Sequence, residues 1–249
     1  MVSGFKHTRY YKRGNFKSEP MQEHEVEFKY RERSATFNHT KDFIDKIDYG
    51  TKHIHPSSRF LKIAVAPLYL SIDNRYFSYN DAGRLISDSR SGYPISFLDG
   101  IAYIHVVGRF VVKYYFNGVI TICYDINNCL EKPHINDIDI KILNVAMLRQ
   151  YLDRTIMQYI FQFYSNISFR GPILINIIID NAQNILLGQT NLQDIPEDKI
   201  LKDYIYQQDI YEFSEIFPMN DVLMNLNDVI SRLLLRLTYG LGGYNFTKF

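Results

Sequence analysis

The sequence predicts an α+β fold, with a strand-rich first half followed by two long amphipathic helices packed on a mixed sheet. Three features lead there. β-Rich runs crowd residues 60–125, and Asn117-Gly118 sits between two of them as a β-hairpin signal. Apolar residues recur every three or four positions across 136–166 and again across 220–239. Between these helical patterns lies a nearly unbroken apolar run, Pro172 to Asp180. Strands gathered ahead of helices indicate segregated rather than alternating architecture.

Arg9 to Arg13 (RYYKR) reads as a short aromatic strand, followed by a Gly14-Asn15 turn and a Ser18-Glu19-Pro20 helix start. Glu25 to Arg31 alternates charged residues with Val26, Phe28 and Tyr30, the pattern of a strand with one solvated face. Residues 31–58 read as an irregular connection. Phe60 to Leu70 is a strand in which Pro67 must mark an edge, a bulge or an end, because proline lacks the ladder N–H. Ile101 to Phe116 exceeds one strand and breaks at Gly108. Asn117-Gly118 predicts a type I′ hairpin, in which both central residues take positive φ.

The apolar positions Ile140, Leu143, Met147, Leu152, Ile156, Ile160 and Phe163 predict one helix over 136–166, capped by Asn136 or Asp137. Gly171-Pro172 ends it, and the apolar run to Asp180 predicts a strand buried on both faces. Tyr211 to Phe217 is a further strand. Asn220 to Tyr239 is the second helix, with Asn220 or Asp221 as cap and Gly240 as stop. Two segments follow: an N-terminal strand and helix segment over 1–58, and an α+β domain over 59–249.

Hydrophobic residues make up 46% and charged residues 22% of the 249, which excludes overall disorder. A net charge of +1 gives no whole-protein field toward nucleic acid or anionic membrane. Charge is uneven, however: Lys6, Arg9, Lys12, Arg13 and Lys17 all precede the first acidic residue, Glu19. The two cysteines, Cys123 and Cys129, read as reduced thiols rather than a disulfide framework. No apolar run approaches the ~20 residues of a membrane span. With no secretory pattern at the start, a cytoplasmic location and no membrane partner are expected.

The stretch RYYKRGNFKSEPM, Arg9 to Met21, resembles the end of the Schlafen-type AlbA-like domain of prokaryotic proteins, also called the divergent AAA or ATP-binding family. There an aromatic-basic strand runs into a Gly-Asn turn and a Pro-Met helix start. The run GYPISFLDGIAYIHVVGRFVVKYYFNGVI, with the later LRQYLDRTIMQYIFQFY and GPILINIIID, resembles the region after that domain. The resemblance implies that Arg9 to Met21 is the tail of an AlbA-like domain whose body is absent, the chain being a C-terminal region, a truncated gene product or a stand-alone relative. It also implies work in a nucleic-acid-associated system such as transcription regulation or phage defence. The family's Asn-Thr-Gly-Gly core sequence and its acidic nuclease set have no counterpart here.

Several residue groups are candidates for chemistry. Arg9, Tyr11, Lys12, Arg13 and Lys17 suit nucleic acid, with cations on phosphate and a tyrosine stacked on an unpaired base. Strand alternation splits these charges between two faces, and a basic strand guarding a sheet edge has the same composition. Glu25, Glu27 and Lys29 in EVEFK form the Glu-x-Lys half of a metal-dependent nuclease, where Glu holds Mg²⁺ and Lys stabilises charge at the phosphate. The acidic partner such a site needs is not at the right spacing upstream, and a solvated strand face reads the same.

His53 and His55 put two imidazoles on one face of an extended segment, as zinc sites do, with His39 or Asp48 as a third ligand if the fold supplies one. Surface loop histidines are the competing reading. Arg84 and Arg90 are weaker anion contacts. The glycines of Gly240 to Gly243 follow a helix, whereas phosphate loops precede one, so they read as a C-cap. No phosphate-loop lysine motif or nucleophile elbow occurs. No cofactor is expected.

The expected function is a non-catalytic accessory or regulatory domain that contacts DNA or RNA. The alternatives are an oligomerisation module, self-assembling or joined to an upstream AlbA-like domain, and a metal-dependent nuclease.

Overall fold

Strand pairing organises the computed structural model, which describes residues 11–13, 18–20, 37–54, 59–70, 74–81, 93–105, 110–131, 140–188 and 206–241. In chain order the first elements are β1 (Tyr11–Arg13), β2 (Ser18–Pro20), the helical residues 37–45 (α1), a 3₁₀ turn (Thr51–His53) and β3 (Phe60–Pro67). Next come β4 (Tyr93–Phe97), β5 (Gly100–His105), β6 (Phe110–Tyr115), β7 (Ile120–Asp125), β8 (Leu130–Glu131) and β9 (Lys141–Asn144). A long helix follows as α2 (Val145–Arg154), a π-helical stretch (Thr155–Phe161) and α3 (Gln162–Asn166). The remainder is β10 (Ile173–Asp180), β11 (Ile185–Gly188), β12 (Ile210–Phe217), α4 (Met219–Met224) and α5 (Leu226–Leu241).

The predicted α+β class holds. Seven strands form an antiparallel sheet in the order β12-β10-β3-β7-β6-β5-β4, and the mixed pairing lies in a smaller sheet, β11-β9-β8. β3 and β10 sit inside the large sheet, and Pro67 closes β3 at its last residue, where no further ladder N–H is needed. One sheet face packs beneath the long helix and α5: Ile63, Val112, Tyr124 and Ile177 meet Leu152, Ile156, Ile160, Leu233 and Leu237. The opposite face is covered by residues 37–54, where Ile44, Tyr49 and Ile54 pack on Ala64, Val111, Tyr115, Cys123 and Leu174. β10 is therefore buried on both sides, as its apolar run predicts.

Several elements differ from their sequence expectation. Ser18–Pro20 is a strand, not a helix start, paired antiparallel with β1 in a register that sets Lys12 opposite Glu19. Part of 31–58 is helical, at residues 37–45. Among the described residues the long helix starts at Val145, not at 136, with the Asn144 side chain accepting from the N–H groups of Ala146 (2.9 Å) and Met147 (3.2 Å). The residues before it are drawn into β9 by parallel pairing with β11. The second helix is divided at Asn225, and Gly240 lies inside α5 rather than ending it.

The Asn117-Gly118 hairpin joins β6 and β7 as predicted, but its turn is of another kind. The Gly118 N–H donates to Tyr115 O (2.9 Å) and the Tyr115 N–H to Val119 O (2.8 Å), closing a three-residue loop. Gly118 has φ 88° while Asn117 stays at negative φ, so glycine alone supplies the left-handed residue of a bulged loop. Among the described residues, no helix is long and apolar enough to cross a membrane.

Candidate functional site

β6 reads FVVKYY, with one charge in an apolar strand, and that charge is buried: Lys113 is 6% exposed. An ammonium taken out of water costs several kcal/mol unless it is paired and hydrogen-bonded. Here Nζ donates to Asp48 Oδ2 (2.8 Å) and to the Asp48 main-chain oxygen (2.7 Å), and it lies 5.5 Å from the centroid of the Phe97 ring. The Tyr115 hydroxyl also donates to the Asp48 main-chain oxygen (3.1 Å).

Asp48 reaches this position from the loop between α1 and the 3₁₀ turn. Its Oδ1 accepts from the Gly50 N–H (2.8 Å), and Lys52 Nζ stands 4.0 Å from Oδ2. Gly50 is required twice over. Its φ is 77°, and a Cβ there would come within 3.0 Å of Lys113 Cε and 3.1 Å of Val111 Cγ1. Desolvation works to raise the Asp48 carboxyl, but the hydrogen bonds from Lys113 and Gly50 outweigh it and hold the group below its ordinary value. Burial, reinforced by the nearby Asp48 charge, pushes the Tyr115 phenol far up, so it stays a neutral donor.

Above Lys113 opens a cleft of about 530 Å³. Its floor is made by the buried Ala102, Lys113 and Tyr115 of β5 and β6. Phe43, Ile47, Ile95 and Phe97 wall it, and Lys46, Lys52, His53, Asp48 and Asp99 rim it. Phe43 and Phe97 both meet the Tyr115 ring edge-to-face, at 6.5 and 5.0 Å between centroids. Three lysines and a histidine thus face two aspartates around aromatic walls, an arrangement able to hold an anionic group attached to a flat or apolar body.

The same sheet face carries further polar residues toward its other edge. Lys62 is paired with Asp180, Ser214 Oγ donates to Asn176 Oδ1 (2.6 Å), and Lys41 bridges Glu212 (2.5 Å) and Asp45 (3.3 Å). These groups neutralise one another beneath and beside α1.

Of the residues the sequence singles out, Tyr11, Lys12 and Arg13 form β1. Arg9, Lys17, Glu25, Glu27, Lys29, His55, Arg84 and Arg90 lie outside the described residues. His53 ends the exposed 3₁₀ turn at the cleft rim, His39 is exposed on α1, and Asp48 is committed to Lys113. No group of three or more His, Cys, Asp or Glu suited to a metal ion occurs among the described residues. Sequence reasoning passed over Lys113 and Lys46. A lone lysine inside FVVKYY was the available signal, since a charge among strand residues buried on both faces has to find a partner.

No family model, curated protein or solved structure was found to be significantly similar to this chain.

Proposed function

We propose that this chain is a non-catalytic binding domain of a nucleic-acid-associated system, and that the cleft above Lys113 receives an unpaired nucleotide of a DNA or RNA strand. The observation that carries this reading is a buried lysine opening into an aromatic-walled cleft whose rim holds Lys46, Lys52 and His53. Single-stranded nucleic acid asks for this combination, cations for the backbone and ring faces or edges for the base. The basic stretch from Arg9 to Lys17 supplies additional phosphate contacts in this reading. Its likeness to the end of an AlbA-like domain supports nucleic acid as the partner.

Fluorescence anisotropy with labelled single-stranded and double-stranded DNA and RNA, at low and moderate salt, tests it. The expected result is preferential binding of single strands that weakens steeply with salt. The Lys46→Ala/Lys52→Ala and Arg9→Ala/Lys12→Ala/Arg13→Ala variants should each bind more weakly. Absence of binding to all four probes at low salt overturns it.

A second reading, an assembly module, is favoured by Leu235 and Tyr239 on α5, which are 52% and 78% exposed and one helical turn apart. It predicts a concentration-dependent oligomer in sedimentation that Leu235→Lys abolishes.

A further inference from the structure

We infer that Asp48 is a built-in occupant of an anion site, and that the phosphate of a nucleotide takes its place. This inference rests on the nucleic-acid reading and names the group recognised. Lys113 Nζ and the Gly50 N–H each reach the Asp48 carboxylate at 2.8 Å, from opposite oxygens, and Lys52 Nζ stands 4.0 Å away. Such convergence of a buried cation, a main-chain N–H and a second cation is what holds oxyanions in proteins.

The two partners differ in how firmly they are held. The Lys113 side chain is 8% exposed and fixed in the sheet, whereas that of Asp48 is 58% exposed on a loop. The cation cannot leave for water; the carboxylate can turn out into it. When the carboxylate leaves, Nζ keeps its bond to the Asp48 main-chain oxygen but loses its counter-charge, so an anion is the entrant that best replaces what Asp48 gave.

With Asp48 turned out, Lys113, Lys52 and Lys46 face Asp99 alone, a surplus of two positive charges. Lys46 lines the cleft without an ion pair among the described residues. A terminal 5′-phosphate, on a strand end or a mononucleotide, is a monoester with about −1.5 to −2 charges and three acceptor oxygens at neutral pH, which matches this surplus better than a second carboxylate or the singly charged diester within a strand would. Phe43 and Phe97 flank the space beside the anion, where the sugar and base would extend.

Isothermal titration of the full chain with adenosine 5′-monophosphate, adenosine and inorganic phosphate tests the inference. The expected order is the nucleotide above phosphate, with adenosine weakest. Asp48→Ala, or Asp48→Asn if the alanine variant does not fold, should tighten the nucleotide roughly tenfold, as for a site open in about a tenth of the molecules. Lys113→Met should abolish binding. If that variant fails to fold, the Asp48→Ala/Lys113→Met pair, which removes both charges together, should fold and still not bind.

Unchanged nucleotide affinity in Asp48→Ala overturns the inference and leaves Asp48–Lys113 a structural ion pair. Inorganic phosphate binding as tightly as the nucleotide overturns the nucleotide assignment. Retention of single-strand binding in either case leaves the binding-domain reading standing, whereas loss of both in the unmodified chain removes both.

Discussion

The hydroxyl of Tyr164 donates a hydrogen bond to the main-chain oxygen of Gly118 at 2.9 Å, inside the core. Through it the end of the long helix holds the β6–β7 turn, and the same hydroxyl stands 3.4 Å from the oxygen of Val65. Tyr164→Phe removes the donor and leaves a buried carbonyl unsatisfied. A loss of about 1–3 kcal/mol is expected in urea unfolding, with the m-value unchanged. Burial holds this phenol well above its ordinary value. The unfolded chain therefore releases the proton first, and stability falls as pH rises past about 10; Tyr164→Phe should flatten that alkaline loss.

Gly240 and Tyr211 make a second packing constraint. A Cβ on Gly240 would lie 2.0 Å from both Cε2 and the hydroxyl oxygen of Tyr211. The hydroxyl is held in place by donating to Arg236 O (2.8 Å). Gly240→Ala is expected to destabilise by about 1–3 kcal/mol through overpacking. Adding Tyr211→Leu should recover part of the loss, and thermal unfolding of the single and double variants measures the coupling.

The Asp48–Lys113 pair predicts an acid response. Because the folded carboxyl lies below its ordinary value, its contribution is fully present above the unfolded pKa of about 3.9. It is lost as pH falls through that value toward the lower folded one. Melting temperatures between pH 5 and pH 2.5 should drop more steeply for the unmodified chain than for Asp48→Asn.

Cys123 lies in β7 against the covered sheet face, where burial pushes its thiol up to about 12. It should resist iodoacetamide at pH 8 and react only through unfolded molecules, so the labelling rate should rise with the unfolded fraction across urea concentrations. Below the unfolded thiol value of about 8.5 this group leaves stability independent of pH. Between that value and about 12 the unfolded state loses its proton first, so stability declines.

The hairpin was legible because two β-rich runs flank Asn117-Gly118, but its turn type was not. The Tyr76 N–H bonds to Phe116 O (2.8 Å), which is a contact from elsewhere in the chain, and the loop takes in Phe116 rather than leaving it in the strand. Local pattern alone does not place the helix start, because Ile140, Ile142 and Leu143 fit both a helical stripe and a short buried strand. What decides between them is β11, a partner far along the chain that no local pattern names. Residue type alone makes Gly240 a helix stop, whereas its role comes from the Tyr211 ring pressed against it. Half of the cleft was visible in principle. Lys113 stands out in its strand, but Asp48 sits in a stretch whose weak periodicity gave no reason to place it against β6.

The position of β3 bears on how the protein is made. Its neighbours in the sheet are β7 and β10, so a ribosome that has delivered residues 60–125 has released five strands able to pair while one flank of β3 stays open. Adding β10 closes that flank but presents a new, isoleucine-rich edge until β12 arrives. Open edges of this kind recruit other chains. Synthesis order, rather than final stability, thus sets the interval in which newly made chains are prone to aggregate, and a chain ending before residue 210 would never leave it.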